Sequence, residues 1–204
     1  MYTPEIYKNE NREEINAFLH TNRFGILVNQ TDGRLCATHI PMLLTTNESG
    51  DSILQGHLSK ENPQSNGFLE NDTVLAIFSG PHSYISSSWY DHENVPTWNY
   101  LAVHIYGKIK IVEGDAVAQS LKSLVDKYEQ HSDNPIRIEN LSPKTMLQMR
   151  GIVAFEIEIT EIQATKKLSQ NRDDKNYTNI ITELEKTKEH QAIKIANEMK
   201  KCPR

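Results

Sequence analysis

The stretch PTWNYLAVHIYGKIKIVEG, residues 96–114, settles past its aromatic mouth into strict alternation. Val103, Ile105, Ile109 and Ile111 fall on one face and His104, Tyr106, Lys108 and Lys110 on the other, the period of a strand with one face buried. A second long stretch, GIVAFEIEITEIQATKKL at 151–168, repeats the pattern. There Val153, Phe155, Ile157 and Ile159 alternate with Ala154, Glu156, Glu158 and Thr160, so the outer face is wet.

Working outward from these strands, NREEINAFLHTNR at 11–23 predicts a helix. Asn11 is followed three residues later by Glu14, a capping-box spacing, and Ile15, Phe18 and Leu19 share one face. FGILVNQTDGRLCATHIPMLL at 24–44 is two apolar runs around Thr31-Asp32-Gly33, where Asp-Gly supplies the positive dihedrals of a tight hairpin. After a second turn, TTNESGD, the run SILQGHL predicts a third strand. DTVLAIFSG predicts a fourth, beyond a short helical segment near Pro63. Strands at this spacing predict a β-barrel or sandwich. Between the two long strands, Val117, Leu121, Leu124, Val125 and Tyr128 have helical spacing and are placed as a plug for an open barrel end. Tyr177, Ile180, Ile181 and Leu184 mark one C-terminal helix whose pattern thins towards Lys201.

A chain of 204 residues is long enough for one domain with a substantial core. No apolar run approaches the roughly 20 residues needed to cross a bilayer, and MYTPEIYKNENREE lacks the apolar centre of a signal peptide, which predicts a cytosolic protein with no membrane partner. Cys36 and Cys202 have no CxxC spacing and are expected as free thiols. The net charge of -5 opposes a broad nucleic-acid footprint. Residues 166–204 are the exception, with ten Lys/Arg against six Asp/Glu. Any DNA contact is therefore expected from residues 172–204, whose removal is expected to leave a folded barrel.

HExxH, GxSxG, Walker and GxGxxG signatures are all missing, so no catalytic residue is assigned. The histidines lack tight ligand spacing and no metal site is assigned. Polar and aromatic residues concentrate instead at predicted strand ends, in ATHIP, GHLSKENPQ, GPHSYISSSWY and VPTWNY. In GHLSKENPQ, Ser59 and Lys60 follow a strand and precede a short helix, so that a hydroxyl, an ammonium and free amides converge as a phosphate would require. Nearby aromatics suit a flat ring. A planar phosphorylated ligand such as FMN meets both demands.

These blocks, with VPTWNYLAVHIYG, RGIVAFEIEIT and KLSQNR, resemble the PaiB-type family of FMN-binding negative transcriptional regulators over nearly the whole chain. Ser87 stands where the family pattern has proline. The resemblance implies a flavin split barrel, mainly β with flanking helices: an antiparallel Greek-key barrel at 1–171 and a helical tail at 172–204 packed on it, forming a homodimer with FMN in a cleft between subunits. Ser59 and Lys60 match the phosphate segment of related flavin oxidases, with Glu61 where a second basic residue stands in those proteins. By the same resemblance Thr38 and His39 lie along the isoalloxazine ring, and His57 and Leu58 beside the ribityl chain. Trp98 and Asn99 close the cleft from the partner chain, with Tyr100 beginning the strand. Asn62, Ser86, Trp89, Tyr90 and Gln170 complete the implied cofactor-binding set; Ser169 and Arg172 are alternatives for holding the tail. The implied function is a repressor; the other readings are a flavin-dependent oxidoreductase and a haem-binding split barrel with a histidine ligand.

Overall fold

The computed structural model describes residues 1–202. Asp32 and Gly33, with φ of 50° and 72°, make the tight turn between β1 (Phe24–Thr31) and β2 (Arg34–Pro41), as the Asp-Gly pair predicts. Leu27 lies opposite Thr38 in that hairpin. The apolar run does not continue as one strand to Leu44. Pro41 has no N–H to extend the ladder; the Met42 N–H turns to the Arg23 carbonyl at 2.9 Å and its side chain is buried. The chain then re-enters the sheet as β3 (Leu43–Thr46), paired with β4 (Ser52–Ser59).

The remaining strands are β5 (Thr73–Ile85), β6 (Thr97–Val112) and β7 (Ile152–Lys167), in one antiparallel sheet of order β2-β1-β5-β6-β7-β4-β3. β6 begins at Thr97, so Trp98 and Asn99 are strand residues and Tyr100 is not its start. Alternation along β6 is as read: 103, 105, 107 and 109 are buried, whereas 108 and 110 are exposed. β7 pairs with β4 so that Ser59 faces Ile152, His57 faces Ala154 and Gly56 faces Phe155.

The helices are α1 (Arg12–Thr21), α2 (Gly67–Glu70), α3 (Asp115–Glu129), α4 (Pro143–Met146), α5 (Asp174–Lys186) and α6 (His190–Lys201). Asn11 caps α1 through its Oδ1, which accepts from Glu13 and Glu14 N–H; the Glu14 carboxylate goes to Asn9 and Lys166, leaving the box half closed. α3 forms as predicted, with Ser120 buried, Val117, Leu121, Leu124 and Val125 half-buried and Tyr128 exposed. An ion-pair cluster of Lys122, Asp126, Arg137 and Glu139 ties it to the following loop. The single C-terminal helix of the sequence reading is two. Thr187 Oγ1 donates to the Leu184 carbonyl at 2.8 Å and accepts from Glu189 N–H at 3.2 Å, while Lys188 takes φ 59°. The second helix buries Ala192, Ile195, Ala196 and Met199, an i, i+3, i+4, i+7 stripe made inconspicuous by its small residues.

The described chain forms two compact units. One comprises Met1–Phe18, Phe78–His104 and the described part of Gln163–Arg204. Its core joins Ile85, Tyr90 and Leu168 to Tyr177, Ile180, Leu184 and the α6 stripe. The tail helices are therefore part of this core, and their removal would uncover Ile85 and Leu168. The other unit comprises Leu19–Ile77 and Ile105–Ile162. Its buried residues include Leu27, Leu54, Leu58, Phe68, Phe155 and Ile157, with Phe68 meeting Phe155 edge-on at 5.7 Å between centroids.

Gly107 holds β6 against β7 in this second unit. A Cβ there would sit 2.4 Å from the Glu158 carbonyl oxygen and 2.5 Å from Ile157 Cγ2, and main chain cannot swing aside as a side-chain tip does. Gly107→Ala is expected to destabilise the protein by about 1–3 kcal/mol, the usual cost of overpacking. Gly151→Ala, where a Cβ meets nothing within 4 Å, is expected to stay within about 0.5 kcal/mol of wild type. Chemical denaturation of both variants measures the difference.

Candidate ligand-binding site

The unit of 19–77 and 105–162 brings together Thr38 and His39 on β2, His57, Leu58 and Ser59 on β4, and Lys60 and Asn62 in the turn that follows. The turn is short: Asn62 N–H reaches the Ser59 carbonyl at 3.0 Å, and Lys60 N–H the Gly151 carbonyl at 2.9 Å. A 3-10 turn at Pro63–Asn66, continued by α2, forms the short helical segment predicted near Pro63. Its amides are not free for an anion. Pro63 has none, Gln64 N–H goes to Asn62 Oδ1 at 3.0 Å, and Ser65 N–H goes to the Asn62 carbonyl at 3.2 Å. The hydroxyl and ammonium are what remain of the predicted phosphate site. Ser59 and Lys60 are both exposed, and the Lys60 ammonium has no ion-pair partner among the described residues. These two groups fit the phosphate of FMN without breaking an existing ion pair.

His57 is half-buried, and desolvation holds its imidazole below the ordinary value, so it is neutral at pH 7. His39 is exposed and stacks on Phe24 with centroids 6.1 Å apart. The Leu58 side chain is 2% exposed and belongs to the core, leaving only its main chain to face a ligand. Thr38 and Asn62 meet directly: Asn62 Nδ2 donates to Thr38 Oγ1 at 2.9 Å. Thr38 in turn donates to Gln64 Oε1, and Gln64 Nε2 donates to the Leu27 carbonyl at 2.9 Å. The Gln64 carbonyl accepts from Asn29 and Thr31. Gln64, itself 2% exposed, organises the group, yet the sequence reading did not single it out. Its only signal was an amide directly after Pro63 within the GHLSKENPQ block.

The other unit holds Ser86, Trp89, Tyr90, Trp98, Asn99 and Gln170. Ser86 caps a 3-10 turn at Ser87–Trp89 by accepting from Ser88 N–H at 3.2 Å. Asn179 Nδ2 donates to the Trp89 carbonyl at 2.6 Å, and Arg172 lies over the Tyr90 ring at 5.0 Å. Buried Asn176 clamps the segment to α5: its Oδ1 accepts from Asp91 N–H at 3.1 Å and its Nδ2 donates to the carboxylates of Asp91 and Asp173. Trp98 is 53% exposed and, with Tyr84 and His82, forms an aromatic cluster on the surface.

Two expected site residues make bonds inside the chain. Asn99 is fully buried; its Oδ1 accepts from Ser169 Oγ at 3.1 Å and its Nδ2 points at Met199 Sδ at 3.6 Å, so it cannot close a cleft from a partner chain. Gln170 accepts from Leu168 N–H at 2.7 Å and donates to the Lys166 carbonyl, which uses both ends of its amide within its own turn. In that turn Lys167 ends β7, Asp173 caps α5 through Asn176 N–H at 3.0 Å, Arg172 lies over Tyr90, and Ser169 bonds Asn99.

Comparison with known proteins agrees with this architecture. Residues 1–161 match the family described as "Putative FMN-binding domain". The chain is 45% identical over 201 residues to the protease synthase and sporulation protein PAI 2 of Bacillus subtilis, covering 98% of this chain and 96% of that protein. Among solved structures, the flavocytochrome Anf3 of Azotobacter vinelandii superposes with a TM-score of 0.65 at 16% identity, covering 87% of this chain and 78% of its own. The FAD- and haem-binding protein of Mycobacterium smegmatis gives 0.63 at 17% identity, covering 84% and 78%. At these identities the two structures establish the split-barrel fold and nothing further.

The Asp91 clamp carries a pH signature. Hydrogen bonds from Lys175, then His92 and Asn176, hold the Asp91 carboxyl well below the ordinary value of 3.8. A carboxylate whose folded value is depressed contributes stability above the unfolded value and loses it as pH falls through the folded one. Acidification from pH 5 to pH 3 is expected to lower the melting temperature of wild type more than that of Asp91→Asn, as read by circular dichroism.

Proposed function

Since the chain belongs to the PaiB-type FMN-binding-domain family, we propose that it is a regulatory protein that binds FMN through the residues at the end of β4 and represses gene expression as a homodimer. The observation that carries the flavin reading is the pairing of exposed Ser59 with an ammonium, Lys60, that has no ion-pair partner among the described residues, one turn from Thr38 and Asn62. The phosphate takes Ser59 and Lys60. Neutral His57 adds no charge to compete for it. When bound, FMN supplies a redox-active ring, and the protein supplies its placement.

The homodimer rests on the surface cluster of Trp98, Tyr84 and His82, with Val95 71% exposed on the same unit, apolar area that a second copy would cover. The tail is a weak candidate for DNA contact. Lys175, Lys186, Lys200 and Lys201 are each ion-paired to a carboxylate, so four of the eight Lys/Arg of residues 172–204 stand beside an opposite charge instead of forming a bare basic patch. Repression therefore acts through flavin or a protein partner. Full-length protein is expected to show no salt-dependent DNA retention in a mobility assay, and a log-linear loss of binding with salt would reverse that assignment.

Titration of the purified protein with FMN, followed by visible absorption, tests the central claim: a perturbed flavin spectrum is expected, and a Soret band would point to haem. Lys60→Ala is expected to weaken FMN by roughly 10- to 100-fold, the range set by a charge-assisted bond of about 1.5–3 kcal/mol. Riboflavin, which lacks the phosphate, should bind both proteins alike. Equal losses for the two ligands would remove Lys60 from the phosphate site.

A further inference from the structure

Lys166 and Lys167 end β7 side by side, and the fold supplies a counter-charge to only one of them. Lys166 pairs with Glu14 at 2.9 Å. Lys167 has no carboxylate partner among the described residues; its ammonium donates to Thr97 Oγ1 at 2.6 Å and lies 5.8 Å from the centre of the Tyr7 ring. Burial, and after it the like charge of Arg172, hold the Lys167 amine below its ordinary value. Tyr7, Thr97, Lys167 and Arg172 are each half-buried, and all belong to the unit that contains the tail, whereas Ser59 and Lys60 belong to the other.

The unspent groups here are donors. An ammonium has three N–H bonds, of which Thr97 takes one, and a hydroxyl that accepts from an ammonium keeps its own proton to give. No acceptor for that Thr97 proton is found among the described residues. Open N–H and O–H donors, on a cation repelled by a second one, are the complement of a negatively charged group that only accepts. An ammonium is a point charge with rotatable donors, which suits the tetrahedral oxygens of a phosphate. We propose that Lys167, Thr97 and Arg172 form a second anion site, separate from Ser59 and Lys60, that takes a free oxyanion of phosphate size. The anion accepts from the Lys167 ammonium and the Thr97 hydroxyl, and its charge offsets the repulsion between Lys167 and Arg172. In a half-buried setting this attraction is screened less than on the open surface. The assignment does not depend on the flavin reading.

The test is protection of the amine. The full chain is acylated with a neutral N-hydroxysuccinimide ester in inorganic phosphate and in chloride of equal ionic strength, and the rate at each lysine is read by mass spectrometry. With phosphate at ten times its dissociation constant, labelling of Lys167 is expected to slow about tenfold, because only the unoccupied fraction reacts. Lys175, ion-paired to Asp91 in the same unit, is expected to react alike in both salts. Thr97→Val, which removes the hydroxyl at nearly constant volume, is expected to weaken phosphate about tenfold, and Lys60→Ala to leave the protection unchanged. Equal Lys167 rates in phosphate and chloride would overturn the site. Protection lost in Lys60→Ala, or given by FMN and not by riboflavin, would show one phosphate site instead of two and overturn it as well. Because the wild-type rates decide by themselves, a Thr97→Val protein that fails to fold does not rescue the proposal.

Discussion

Gln64 is a buried amide whose polar groups are all engaged, and the placement of β1, β2 and the turn after β4 depends on it. Its side chain spans the register pair Leu27 and Thr38, taking the carbonyl of one strand and the hydroxyl of the other. Its own N–H and carbonyl tie down Asn62, Asn29 and Thr31. Leaving any of these buried groups unpaired would cost on the order of 1–3 kcal/mol, so the network resists partial rearrangement. Gly67 shows how closely it is fitted. A Cβ there would lie 2.3 Å from Thr31 Oγ1 and 2.5 Å from the Gln30 carbonyl, so the chain entering α2 must be glycine for the segment to seat.

Hydrogen-bond accounting also distinguishes the remaining polar residues. Asn99 and Gln170 are amides in polar-looking blocks, but Asn99 is fully buried and both ends of the Gln170 amide bond within its own turn. Thr38, Asn62 and Lys60 retain valences after the fold has taken its share. A rigid group with a few unspent donors and acceptors is what ligand recognition needs, because little has to be reordered on binding.

In the unit that contains the tail, Asn176 has the corresponding part. It joins the Trp89–Asp91 segment to α5, and the α5–α6 pair closes over Ile85, Tyr90 and Leu168. Tyr177 adds a 2.7 Å bond to the Met199 carbonyl, fixing α6 against α5. Lysines that looked like a basic tail in one dimension are paired with glutamates one turn away or on the facing helix, Lys200 with Glu185 among them.

Much of this was legible in the residues. Alternation in β6 and from Phe155 to Thr160 in β7, where Ala154 is buried against the expected wet face, the Asp-Gly hairpin, the Asn11 cap and the amphipathic spacing of α3 are local signals, each carried by neighbours within one turn or one strand, and the block resemblance identified the family. What tertiary structure alone decided were the interactions of residues far apart in sequence. Pro41 divides an apolar run because Met42 finds Arg23; α6 forms as a second helix because small residues at 192 and 196 meet a core assembled elsewhere. Asn99 is structural because Ser169 and Met199 reach it, and Thr38 is left an acceptor because Leu27 turns Gln64. A sequence states which hydrogen-bonding groups exist, but which of them remain for a ligand depends on the partners that folding brings within 3 Å or so.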